Sequence, residues 1–151
     1  MATRLINCIF GKTTISAIID TILSVGQKLF GLRVELAKAR QARKDSVAGF
    51  LASIAESIEQ ASAALKLGEY PHGKCQEIFV HAQHMEAAIG DLIGPVLARE
   101  LAAQLAEVHE IERLHAELGS ADEAGRLRKL SVLDQAAGQF RATAAFVRVS
   151  P

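Results

Sequence analysis

Four residues of this chain carry the donor chemistry of a metal site: His72, Cys75, His81 and His84. Imidazole nitrogen and thiolate sulfur are the usual ligands of tetrahedral zinc, and paired ligands three residues apart are a pattern such sites use. Helical geometry opposes that reading here. Cys75 falls on the apolar face of a predicted helix, and the rise from Cys75 to His81 is about 9 Å, wide for one ion. The expectation is a buried thiol, histidines on a polar face, and no metal or cofactor.

Other arrangements fall short for specific chemical reasons. Ile6 to Thr13 reads INCIFGKT, but a phosphate-binding loop needs glycine where Ile6 stands, so that the backbone curls around phosphate. His109-Glu110-Ile111-Glu112-Arg113 begins like a zinc-protease helix, yet Arg113 occupies the second histidine's slot with the wrong charge. Glu112 and His115 form one Glu-x-x-His pair, and a di-iron bundle needs a second pair and two further glutamates. Cys75 has no orienting acid implied beside it, and Ser53, Ser57 and Ser62 fill helix faces. Without paired acid–base groups the chain is not expected to be an enzyme.

The basic residues are the next candidates. Through Asp45 there are eight Lys and Arg against three Asp and Glu; beyond it there are nine against fourteen, and the formal net charge is zero. Arg33, Lys38, Arg40, Arg43 and Lys44 concentrate the positive charge. Such a run meets the phosphates of lipid or nucleic acid, or docks on the acidic remainder of its own chain. Nucleic acid is not expected: the isoelectric point is about 7.0, with one tyrosine and no tryptophan to stack on bases. Two cysteines suit a reducing compartment, and Lys12 and Asp20 interrupt any secretory or membrane-spanning run, which needs ~20 apolar residues.

Helices must position these groups. Half of the residues are hydrophobic, mean hydropathy is +0.19, and three prolines interrupt a chain of 151 residues, which favours one all-α domain over 1–151. The first helix is predicted over Thr14 to Phe30, with Ile15, Ile18, Ile22, Val25 and Leu29 as its stripe and Ile19, Leu23, Gly26 and Phe30 beside it. The second covers Leu32 to Lys66 on a seam of Val47, Leu51, Ile54, Ile58, Ala61 and Leu65, unless Asp45-Ser46 caps a separate helix. Gly68 and Tyr70-Pro71-His72-Gly73 mark a turn. The third runs from Lys74 to Ile93. The fourth opens at Gly94-Pro95 with Leu97, Leu101, Leu105, Val108, Ile111 and Leu118 inward. Ser120-Ala121-Asp122-Glu123 matches a capping box for the fifth, which buries Leu127, Leu130, Leu133, Ala137, Phe140, Ala144 and Val147 before a short tail, 148–151. Short connections give a four- to five-helix antiparallel bundle over 32–147, with an apolar N-terminal segment, 1–31.

This arrangement resembles the HeLo-like cell-death domains: fungal HeLo domains, plant resistance-protein bundles, the mixed-lineage kinase-like pseudokinase bundle and the bacterial HeLo-like (Bell) domains. Thr14–Phe30, the basic stretch Arg33–Lys44 and the helices from Val47 through Leu118 carry the likeness, about two-thirds of the chain. Gly68 to Gly94 is also similar to bacterial helical proteins of unknown function. The tail from Thr143 is short for an amyloid signalling motif.

The resemblance implies a bacterial immune or cell-death effector, cytoplasmic until an upstream partner triggers it, then homo-oligomeric at the inner face of the plasma membrane. Ile15, Ile18, Ile19, Ile22, Leu23, Leu29 and Phe30 would insert. Lys28, Arg33, Lys38, Arg40, Arg43 and Lys44 would meet the phosphates of anionic lipid. The alternative is a non-enzymatic interaction or assembly module in which the same apolar stripe is simply core. Asp at Ile18 and Ile22 is expected to separate the two, unfolding a pure bundle and only inactivating an effector.

Overall fold

The computed structural model describes residues 15–71, 73–107 and 122–151, with side chains from Ile18 onward. Six helices are present among them: α1 (Ile15–Gly31), α2 (Arg33–Ala37), α3 (Gln41–Lys66), α4 (Lys74–Ile93), α5 (Pro95–Ala106) and α6 (Glu123–Val149). The fold is an all-α bundle, as the periodicity implies.

Neighbouring helices form a ring, with α1 on α6, α6 on α3, α3 on α4, α4 on α5 and α5 back on α1. Side-chain pairs fix the directions. Lys66 meets Asp134 and Glu59 meets Arg141, so α3 and α6 are antiparallel. Ser57 meets Glu77 and Arg43 meets Asp91, so α3 and α4 are antiparallel too. Gly26 lies against Ala136, Gln139 and Phe140, and Arg33 against Phe146, so α1 runs in the same sense as α6. One end of the bundle therefore gathers the end of α1, all of α2, the start of α3, the end of α4, the start of α5 and the end of α6.

The core stripe is the one the sequence spacing names. Ile18, Ile19, Ile22, Val25 and Leu29 of α1 are all buried, as are Val47, Leu51, Ile54, Ile58 and Leu65 of α3 and Phe140 of α6. Gly26 permits the close α1–α6 crossing: a Cβ there would stand 3.1 Å from Gln139 Cβ and 3.2 Å from the Ala136 carbonyl oxygen.

Three boundaries and the burial of one residue differ from the sequence reading. The second segment is not continuous, and it does not restart at Asp45-Ser46. It breaks at Lys38–Arg40, where Arg40 takes an extended ψ of 147° and α3 begins. No glycine or proline marks the break. It is tertiary: Leu36 and Ala39 are drawn into the core so that the chain can reverse between α1 and α3. At the start of α6 the cap is Asp122, whose carboxylate accepts from the Gly125 N–H at 2.8 Å; Ser120 lies outside the described residues. The helix also continues to Val149, shortening the tail, because Val147 still packs inward. Leu127 is 47% exposed rather than core, being one turn before the first buried residue of α6, Leu130.

Where glycine and proline do punctuate, the reading holds. At the end of α3, Gly68 (φ +75°) gives its N–H to the Leu65 carbonyl and Glu69 gives its own to Ala64, the paired closure a left-handed residue makes possible. Gly94 (φ +95°) ends α4 and Pro95 begins α5.

Candidate functional site: the basic end of the bundle

Five basic residues of the expected lipid-facing set, Arg33, Lys38, Arg40, Arg43 and Lys44, belong to α2, the turn after it and the first turn of α3, and so share one end of the fold. Lys28, in the last turn of α1, joins them. Their environments divide the set in two.

Lys28, Lys38 and Arg40 are exposed. No carboxylate among the described residues lies within ion-pair distance of them. Val34, Val96 and Val149, on α2, the start of α5 and the end of α6, are exposed apolar residues at the same end, at 52%, 62% and 79%.

Arg33, Arg43 and Lys44 are occupied within the chain. The Arg33 guanidinium lies 4.3 Å from the Phe30 ring centroid and 5.4 Å from that of Phe146, and donates to the Phe30 carbonyl at 2.9 Å. Arg43 forms a two-point ion pair with Asp91 and donates to the Ala88 carbonyl at 2.8 Å. The hydrogen bond from Arg43 holds the Asp91 carboxyl below its ordinary range, and the same bond raises Arg43. This is the basic third docking on acidic chain further along. Lys44 is 3% exposed; its ammonium donates to the backbone oxygens of Ser150 at 2.6 Å and Pro151 at 2.9 Å. Neither Asp91 nor the α6 terminus has a sequence signal as a partner, since each lies more than forty residues from its lysine or arginine.

The expected inserting residues form the inner face of α1. Ile18, Ile19, Ile22 and Leu29 are at most 2% exposed; Leu23 and Phe30 are half-buried, and the side chain of Ile15 lies outside the described ones. No described helix is long and apolar enough to cross a membrane.

Of the histidine and cysteine candidates, the described ones, Cys75, His81 and His84, do not converge on one point. Cys75 is buried and burial pushes its thiol up to about 12, an inert state. His81 is half-buried with its ring edge-on to Phe50 at 5.9 Å, and burial lowers its pKa. His84 is exposed, and His72 lies outside the described residues. Among the described residues no three His, Cys, Asp or Glu side chains cluster to hold a metal. Ile6 to Thr13 and His109 to His115 also lie outside them. A polar cleft between α3 and α4 holds Glu77, which accepts from Ser57 at 2.9 Å and Lys74 at 3.1 Å. Those bonds, Ser57 first, lower the Glu77 carboxyl, so it is an ionised structural tie rather than a general acid.

Compared with known proteins, the chain matches no family model, no curated protein and no solved structure.

Proposed function

We propose that this chain is a non-enzymatic, membrane-targeting effector bundle, with α1 as its releasable element and the basic end as the surface that meets anionic lipid. The observation that carries the reading is the composition of that end. It presents Lys28, Lys38 and Arg40 together with exposed Val34, Val96 and Val149, and it is where the most apolar and one-sided helix of the described chain, α1, finishes. Cations beside exposed apolar side chains suit the headgroup boundary of an anionic bilayer.

Release would have a cost and a compensation. Exposing each of Ile18, Ile19, Ile22, Val25 and Leu29 to water costs roughly 1.5–3 kcal/mol. A bilayer interior offsets that cost, so α1 has two competing apolar partners, and such competition is what a two-state switch needs.

The test is dye leakage from vesicles containing anionic lipid, compared with neutral vesicles, using the full chain. Leakage confined to anionic vesicles, with protection of α1 lost on binding, supports the reading; a folded chain that neither binds nor opens them overturns it. Aspartate at Ile18 or Ile22 does not discriminate, contrary to the expectation from sequence. Both side chains are at most 2% exposed, so a buried unpaired carboxylate unfolds the resting bundle under either reading.

One observation favours a second reading, a helical interaction or assembly module. Ile18, Ile22, Val25 and Leu29 of the α1 stripe are core, and Arg33, Arg43 and Lys44 are already engaged by the chain itself. Under this reading α1 never leaves α6, and anionic vesicles leave its protection unchanged.

A further inference from the structure

Lys44 is a buried cation that neither fold class nor lipid contact explains. The residue is 3% exposed on the first turns of α3, and among the described residues no carboxylate side chain is a hydrogen-bond partner of its ammonium, which donates instead to the backbone oxygens of Ser150 at 2.6 Å and Pro151 at 2.9 Å, just past the end of α6. A buried charge is tolerated only when its donors are satisfied, so α6 must end where Lys44 can reach it. Carbonyls at a helix C-terminus carry the negative end of the backbone dipole, which favours a cation there.

The same last turns of α6 make two other contacts. Phe146 faces the Arg33 guanidinium, which also stacks on Phe30, the end of α1. Arg148 approaches Asp45, the residue after Lys44, at 3.8 Å. The end of α6 is thus tied to α3 through Lys44 and to α1 through Phe146 and Arg33. We infer that the Lys44–α6 contact is a latch: it holds the last turns of α6 in place, and through them it keeps the end of α1 closed on the bundle. The inference rests on α1 being the releasable element proposed above, and it names what controls the release. A trigger acting through the latch would need only to displace the segment from Phe146 to Pro151, without first breaking the buried face of α1.

Hydrogen exchange on the full chain tests this without any membrane. Lys44→Met keeps the side-chain length and removes the ammonium. The expected result is roughly tenfold faster amide exchange in the last turns of α6 and in the C-terminal half of α1, the scale set by losing hydrogen bonds to a charged group, while α4 and α5 keep wild-type protection. Unchanged exchange in α1 overturns the latch. So does uniformly faster exchange in every helix, which would make Lys44 a general stabiliser. Should Lys44→Met fail to fold, Phe146→Leu loosens the same tie from the other side and is read by the same local pattern. Vesicle leakage is then measured on the same variant. Local opening of α1 without leakage retains the latch and overturns the membrane reading; no local opening overturns the latch whatever the vesicles do.

Discussion

At the scale of single residues, Cys75 shows how a group with reactive potential becomes inert. Its position on the apolar face of α4 was legible from the spacing with Ile78, Ala82, Met85 and Ile89, all of which are buried. Burial raises the thiol from 9.0 to about 12. Between those values the folded chain keeps a proton that the unfolded chain releases. Stability from this group is therefore complete below pH 9 and declines as pH rises toward 12, by about 1.4 kcal/mol per pH unit. Cys75→Ala is expected to flatten that part of the alkaline decline in thermal melting, relative to the parent chain; identical slopes would show that the thiol is not desolvated as described. Lys44 was not legible in the same way. A lysine in a basic run reads as solvated, and only the return of α6, more than a hundred residues later, turns it into a buried donor.

At the scale of elements, legibility followed local punctuation. The bounds of α4 were readable because Gly73 precedes it and Gly94-Pro95 follows, and these positions have the positive φ values that glycine supplies. The break between α2 and α3 was not, because Lys38, Ala39 and Arg40 carry no breaker, and what bends the chain is the burial of Leu36 and Ala39. The start of α6 is an intermediate case: the capping chemistry was visible but sits two residues later than a Ser120 cap would place it. Asp122→Ala is expected to destabilise the chain by about 1 kcal/mol, the usual cost of losing a side-chain cap, with faster exchange confined to the first turn of α6. Asp122→Asn keeps an acceptor for the Gly125 N–H and should recover most of the loss. Equal effects of the two substitutions would mean that carboxylate charge near the helix N-terminus, rather than the cap bond, is responsible.

For the whole molecule, the basic run of the sequence is gathered at one end of the bundle, because α1 and α6 finish where α3 begins. That placement could not be read from charge counts, since Arg43 and Lys44 are consumed internally while Lys28, Lys38 and Arg40 remain in solvent. Stability and surface recognition should therefore separate cleanly at this end. Replacing Lys28, Lys38 and Arg40 together by Gln removes three exposed charges without uncovering core, so the melting temperature should stay close to that of the parent. If the basic end meets anionic lipid, each charge contributes about 1 kcal/mol near the surface, and the triple variant should bind anionic vesicles roughly a hundredfold more weakly. Binding by the parent should also weaken as salt is raised, because these charges lie in solvent and are screened. Arg128→Gln, an exposed charge near the start of α6 at the opposite end, is the control and should leave binding unchanged. Equal losses for the triple variant and the control would assign the attraction to overall charge rather than to this end, and the bundle would then be oriented on a membrane, if at all, by something other than the residues beside α1.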